Sequence, residues 1–198
     1  MAGPKTTHPV TIIGRAGGGL DNATWAKSTG HARAGKQAEL STAAVLDEWA
    51  RNNPGVAVLH DLDVPRAGYT ANVDHVVVSG NSVMLLDAKS WAPGFVWSLG
   101  QSSYRGLKPF PSAAKRTLPM ALDTYTEHLA RHGVTGIDIR CALVVWCSRR
   151  EGKVSTWALA SPGARVIPGL KLAANPRRYL PRKPADPAIT SALAQLVN

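Results

Sequence analysis

Residues 72–89 read Asn72-Val73-Asp74-His75-Val76-Val77-Val78-Ser79-Gly80-Asn81-Ser82-Val83-Met84-Leu85-Leu86-Asp87-Ala88-Lys89. Two aliphatic runs flank Ser79-Gly80-Asn81-Ser82, which has the composition of a tight hairpin turn. With Gly80-Asn81 at the centre, Ser79 faces Ser82, Val78 faces Val83, Val76 faces Leu85 and Asp74 faces Asp87. Side chains alternate between faces along a strand. Val76, Val78, Val83 and Leu85 therefore form one apolar face that ends in two opposed carboxylates, and Lys89 shares it. Two like charges about 5 Å apart repel by roughly 3 kcal/mol at an effective dielectric near 20. A divalent cation reverses the sign of that interaction, because carboxylate oxygens are preferred ligands of Mg²⁺, Mn²⁺ and Ca²⁺. A shared proton is the other remedy. A one-residue slip of register would instead send Asp87 to the opposite face, and two solvated acids at strand ends are the plain alternative.

Upstream, the pattern from Lys36 to Arg51 predicts a helix with Ala43, Leu46, Trp49 and Ala50 on one stripe, stopped by Asn52-Asn53-Pro54-Gly55. Glu39 falls on that stripe. A carboxylate there is costly unless paired or ligated, although the positive end of the helix dipole also favours an acid near a helix start. Val56 to Leu59 reads as a strand, and Asp61 to Thr70 as a polar connection. Downstream, Phe95 to Leu99 is a short strand and residues 100–116 are a basic, Pro-containing loop. A helix over Leu118 to Arg131 carries the stripe Leu118, Leu122, Tyr125 and Leu129. Ile137 to Cys147 is a long strand, Val154 to Ala160 returns after a charged turn, and 161–184 is irregular and basic. Asp186 caps a last helix that runs to Val197. The order predicts one mixed α/β domain over 35–198, preceded by a basic, Gly-rich arm over 1–34.

Composition narrows the function classes. The chain has 198 residues, 44 % of them hydrophobic, which supports one real core. No run approaches the ~20 apolar residues of a membrane span, and no secretory leader is expected, so the expected location is cytoplasmic. Two cysteines, Cys141 and Cys147, exclude a disulfide scaffold and a four-thiolate zinc site. The net charge of +10 lies wholly in the second half: residues 1–100 carry 8 basic and 8 acidic residues, residues 101–198 carry 15 and 5. Such a field attracts polyanions, of which nucleic acid is the commonest, with acidic lipid or an acidic protein as alternatives.

The residues also carry a family resemblance. Gly35-Lys36-Gln37-Ala38-Glu39, His60-Asp61-Leu62-Asp63-Val64-Pro65, Asn72 to Val78, Val83 to Ser90 and Gly94 together resemble the nuclease-related domain (NERD), a branch of the PD-(D/E)XK nuclease superfamily. The likeness covers about residues 35–100 well. Asp87 stands where the family often has Glu, and Val73 where the superfamily name has Pro. No residue clearly matches the polar side chain of the second core helix; Lys115 or Arg116 is the nearest candidate.

The resemblance implies a restriction-endonuclease-like core, a mixed central sheet flanked by helices in the order αβββαβ. It implies a Mg²⁺-dependent deoxyribonuclease, with Mn²⁺ as substitute. Asp74, Asp87 and the backbone carbonyl of Ala88 would hold the cation, helped by Glu39. Lys89 would orient the attacking water, help deprotonate it and stabilise the developing charge. DNA is the expected partner, no membrane is, and oligomeric state stays open, a homodimer included. Lys115, Arg116, Arg149 and Arg150 are the expected DNA contacts. Arg177, Arg178, Arg182, Lys183 and Lys153 are further phosphate candidates, as are His31 and Arg33. His75 is read as a packed strand residue, Trp91 and Trp97 as packing with base stacking as the rival role, and both thiols as buried. The rival functions are a catalytically inactive nucleic-acid-binding module on the same fold and a basic protein-interaction domain.

Overall fold

The hairpin closes in the register its alternation requires. Val76 pairs with Leu85, Val78 with Val83 and Ser79 with Ser82, and Gly80 takes the left-handed φ of +58° that the first turn position demands. The computed structural model describes residues 9–18, 29–66, 68, 71–113 and 117–198, with only the backbone path at 29–32 and 117. Lys115 and Arg116 lie outside the described residues, and of His31 only the backbone is described.

Ten strands and four α-helices make up the described chain. They are β1 (Thr11–Ile13), α1 (Thr29–Asn52), β2 (Ala57–Asp63), β3 (Asn72–Ser79), β4 (Ser82–Trp91), β5 (Gly94–Leu99), β6 (Ser102–Arg105) and β7 (Lys108–Pro109). Then follow α2 (Thr117–Arg131), β8 (Asp138–Cys147), β9 (Val154–Ser155), β10 (Arg165–Pro168), α3 (Gly169–Ala174) and α4 (Pro187–Ala194). The main sheet runs β1-β2-β3-β4-β8-β10 and a smaller sheet runs β7-β6-β5-β9. The centre, β2-β3-β4, is antiparallel, whereas β1, β8 and β10 join in parallel. This is the mixed sheet flanked by helices that the sequence predicts.

Both sheet faces are covered, so the inner strands are apolar on both sides. Leu46, Trp49 and Ala50 of α1 pack with Val58, Val77, Leu86, Ala142 and Val144 on one face. On the other, Leu118, Ala121, Tyr125 and Leu129 of α2 and Ile189 and Leu193 of α4 cover Leu59, Val76, Val78, Val83 and Leu85. A third cluster joins the sheets through Trp91, Val96, Ala113, Leu143, Val145 and Leu159.

Several elements differ from expectation. The first helix begins at Thr29, earlier than Lys36. The second strand runs on to Asp63, into the stretch whose composition predicts a polar connection. Inside the stretch read as loop, β6 and β7 form a small sheet with β5. Val154 to Ala160 is not a strand returning along β8. Only Val154 and Ser155 are extended, and they pair in parallel with Gly94 and Phe95. The irregular 161–184 region contains β10, which adds to the edge of β8, and α3. The short elements β6, β7, β9 and β10 are too brief for a period to emerge and are fixed by their neighbours. The last helix is capped as expected, Ala188 N–H donating to Asp186 Oδ1 at 2.8 Å. It ends at Ala194 rather than Val197.

Candidate active site

The ladder between β3 and β4 runs from Ser79–Ser82 to His75–Leu86. The next step places Asp74 across from Asp87, and there the pairing changes character. The N–H of Ala88 donates to Asp74 Oδ2 at 2.6 Å, a side-chain acceptor standing where a strand carbonyl would. Lys89 Nζ lies 2.5 Å from Asp87 Oδ1, with the Lys89 side chain 34 % and the Asp87 side chain 16 % exposed. Asp87 and Lys89 open into a narrow cleft lined by Ser112, Ala113, Leu118, Pro119 and Leu143. Its volume is about 10 Å³, room for roughly one water.

The acids sit at the mouth of the face covered by α2, whereas α1 packs on the opposite face. Glu39, about three turns into α1, therefore approaches the strand ends from the other side of the sheet. Its charge is felt by Asp74 and Lys89, and those of Asp87 and Lys89 by Glu39. The sequence thus places Glu39, Asp74, Asp87 and Lys89 in one electrostatic cluster, assembled from one helix and two strands.

Burial and mutual repulsion dominate that cluster. Loss of hydration pushes the Glu39 carboxyl up to about 7; Lys89 and Lys36 oppose the shift, while Asp61 and Asp87 add to it. Burial, and then the Asp87 charge, raise the Asp74 carboxyl well above the usual range, with Lys89 and the Ala88 N–H pulling back. For Lys89, burial works against the charge, yet Asp87, Asp74 and Glu39 outweigh it and raise its pKa. Lys89 is accordingly held as an ammonium.

Two features of the surroundings carry no role in the sequence reading. Asp61 on β2 has a φ of +56°, the one left-handed non-glycine among the described residues, a conformation that Asp tolerates better than most residues. Pairing of His60 with His75 and of Leu62 with Val73 sets Asp61 across from Asp74 on its other flank. Its carboxylate accepts from Asn72 Nδ2, and its carbonyl from the Asn198 N–H at 3.1 Å. A Cβ at Gly18 would stand 3.0 Å from Asp61 Oδ2, so the segment after β1 passes close beside it. Asp61 belongs to the quoted His60-Asp61-Leu62-Asp63 stretch, but alternation through an extended strand gives no sign of a left-handed residue.

The second feature is a buried pair of imidazoles. His60 Nδ1 stands 2.8 Å from His75 Nδ1, and His60 Nε2 2.9 Å from Asp47 Oδ1. His75 is fully buried, as expected for a packed strand residue. Burial, reinforced by His60, holds it well below the ordinary imidazole range. Trp91 is buried, while Trp97 is half-buried and stacked on Tyr104. Cys141 is buried and its thiol is pushed up to about 11 by burial. Cys147 is only partly covered, which corrects the reading of both thiols as buried: it sits at the end of β8, where the cover thins. Arg149 and Arg150 are exposed in the turn after β8.

Among the described residues, no three His, Cys, Asp or Glu side chains converge into a ready-made metal cluster. Asp74 is committed to the Ala88 N–H and Asp87 to Lys89. The donor set still suits a hard divalent cation. Two crowded carboxylates, one of them forced toward protonation, and the carbonyl of the intervening Ala88 are all-oxygen ligands.

No curated protein matches the chain, and no solved structure matches it either. Residues 34–118, which carry Glu39, Asp74, Asp87 and Lys89, match the family model described as nuclease-related domain, NERD.

Proposed function

We propose that the chain hydrolyses phosphodiester bonds of DNA with the help of Mg²⁺ or Mn²⁺. The observation that carries this reading is Asp74, tied to the Ala88 N–H, set across the hairpin from Asp87, which pairs with Lys89. Lys89 offsets only part of the charge of three buried or half-buried acids, and protons or a bound cation must offset the rest. Asp74, Asp87 and the Ala88 carbonyl would hold that cation, with Glu39 at its margin. When bound, it lowers the pKa of water and neutralises phosphate charge.

The side chains divide the remaining work. Lys89, held as a cation beside Asp87, aligns and stabilises negative charge on the phosphate oxygens, so its part is electrostatic. Glu39, with its carboxyl near 7, is the group able to take a proton from water at neutral pH. The basic surface of residues 101–198 neutralises the nucleic-acid backbone.

The test is incubation of linear and circular DNA with Mg²⁺, Mn²⁺ or chelator, beside Asp87→Ala. Metal-dependent products from the wild type alone support the reading. Equal products from both proteins, or none from either with any cation, sink it in favour of a binding module.

A further inference from the structure

A second cavity, of about 480 Å³, opens between the end of β8, β9, β10 and α3. That is within the size range of small-molecule sites. Lys153, Arg165 and Lys171 line it together with Trp157 and Tyr179, and its lining contains no carboxylate. All three cations are exposed, and the Arg165 guanidinium lies 5.0 Å over the Tyr179 ring. Trp157 is 83 % exposed. Its indole stacks on Phe95 with ring centres 5.4 Å apart and planes 25° from parallel. From there the outer face of the small sheet continues into a second stack, Trp97 on Tyr104 at 4.8 Å.

Core packing does not account for an indole that presents most of its area to water. Aromatic planes beside exposed cations match a nucleotide, a flat base with a phosphate attached. The location fits as well. Val145 lines this cavity, and Val145 is the residue paired with Lys89 in the β4–β8 register. Pro168, paired with Val145 on the far side, lines it too. Neighbouring strands lie about 4.8 Å apart, so the cavity begins one strand from the ammonium that would meet the scissile phosphate. It spreads outward from there along the same face.

We propose that this cavity takes one unpaired nucleotide flanking the scissile phosphate, and that the substrate class is single-stranded or frayed DNA rather than intact duplex. Within a duplex the base faces are already stacked on one another and cannot reach Trp157 without being extruded. The proposal rests on the reading of Glu39, Asp74, Asp87 and Lys89 as a DNA-cleaving site, which fixes the direction in which the strand runs.

The test measures binding of a labelled single-stranded oligonucleotide and of its blunt duplex, in chelator. It compares the wild type with Trp157→Ala, Trp157→Phe and the double variant Arg165→Ala/Lys171→Ala. Every altered side chain is exposed, and a thermal scan checks that each variant is folded. Trp157→Ala should weaken single-strand binding about tenfold, leave duplex binding within twofold, and be largely rescued by Trp157→Phe. The double variant should reduce the salt slope of single-strand binding by about two. Trp157→Ala binding the single strand as the wild type does would overturn the proposal. Equal losses on both substrates would do so too, as would a free mononucleotide saturating the site as readily as the oligonucleotide. Because binding is read without metal, failure to cleave under any condition would sink the nuclease reading while leaving this result intact. Conversely, cleavage by a Trp157→Ala protein with unchanged strand preference would remove the cavity's role and spare the catalytic one.

Discussion

The backbone N–H of Ala88 donates to Asp74 Oδ2 at 2.6 Å, so the first acid of the hairpin is tied to the strand that carries the second. A carboxylate in that position accepts what a β3 carbonyl would otherwise accept. The hairpin therefore stops being a regular ladder where its acids begin. The bond favours the ionised form of Asp74, yet burial and Asp87 prevail and its carboxyl is raised. A site in that balance responds strongly to any change of charge.

Lys89→Ala removes the counter-charge common to three acids. Cleavage should fall at least about 100-fold, the scale for loss of one charge-stabilising donor, with DNA affinity within a few-fold of wild type. The metal-free protein should also melt at lower temperature. Retained cleavage with only weaker binding would show that Lys89 is a phosphate anchor instead.

Mg²⁺ at about 100 times its dissociation constant should stabilise the wild type by roughly 2.7 kcal/mol, a shift of several degrees in Tm for a chain of this size. Asp87→Asn should abolish the shift. Asp74→Asn should do the same while raising the metal-free Tm, since an amide keeps the Ala88 hydrogen bond and ends the repulsion. An undiminished shift in Asp87→Asn would place the cation elsewhere.

The Glu39 carboxyl is raised from 4.5 to about 7, so the folded state keeps a proton that the unfolded chain releases. Ionising Glu39 therefore costs stability, fully above pH 7 and not at all below about pH 4.5. In the metal-free protein, Glu39→Gln should melt above the wild type at pH 8, with the gap closing as pH falls toward 5. Reading the difference between the two proteins cancels the opposite contribution of His75, which both retain. A gap that is constant with pH would contradict the burial of Glu39's charge.

Arg149 and Arg150 are exposed in the turn after β8. Arg149→Ala with Arg150→Ala should lower the slope of log affinity against log salt by about two on DNA of any sequence. An unchanged slope would mean that neither side chain meets a phosphate.

Gly169 opens α3 under the Trp146 ring, and a Cβ there would stand 2.3 Å from the indole. The ring cannot easily give way, because its Nε1 donates to Thr42 Oγ1 at 2.8 Å. Gly169→Ala should cost about 1–3 kcal/mol, the range for overpacking, measured by denaturant unfolding.

The hairpin, α1 and α2 were legible because each repeats its period several times. Val76, Val78, Val83 and Leu85 alternate through one register, and Leu118, Leu122, Tyr125 and Leu129 through one stripe. The positions of Asp74, Asp87 and Lys89 followed from counting outward from Gly80. The small sheet was not legible: Lys108-Pro109 and Val154-Ser155 are too short for a period, and partners far along the chain make them strands. Asp61 escaped for a different reason, since alternation through an extended strand gives no sign of a left-handed residue. The cavity around Trp157 and Arg165 joins residues from four separate elements, and no spacing announces it.

The hydrogen bond from the Asn198 N–H to the Asp61 carbonyl reaches across 137 positions of sequence. Asp61 stands across from Asp74 in the β2–β3 register. Residues far downstream of the nuclease-related stretch therefore brace the backbone beside the first acid of the hairpin, so a substitution at a distance in sequence can reach the candidate site through that brace.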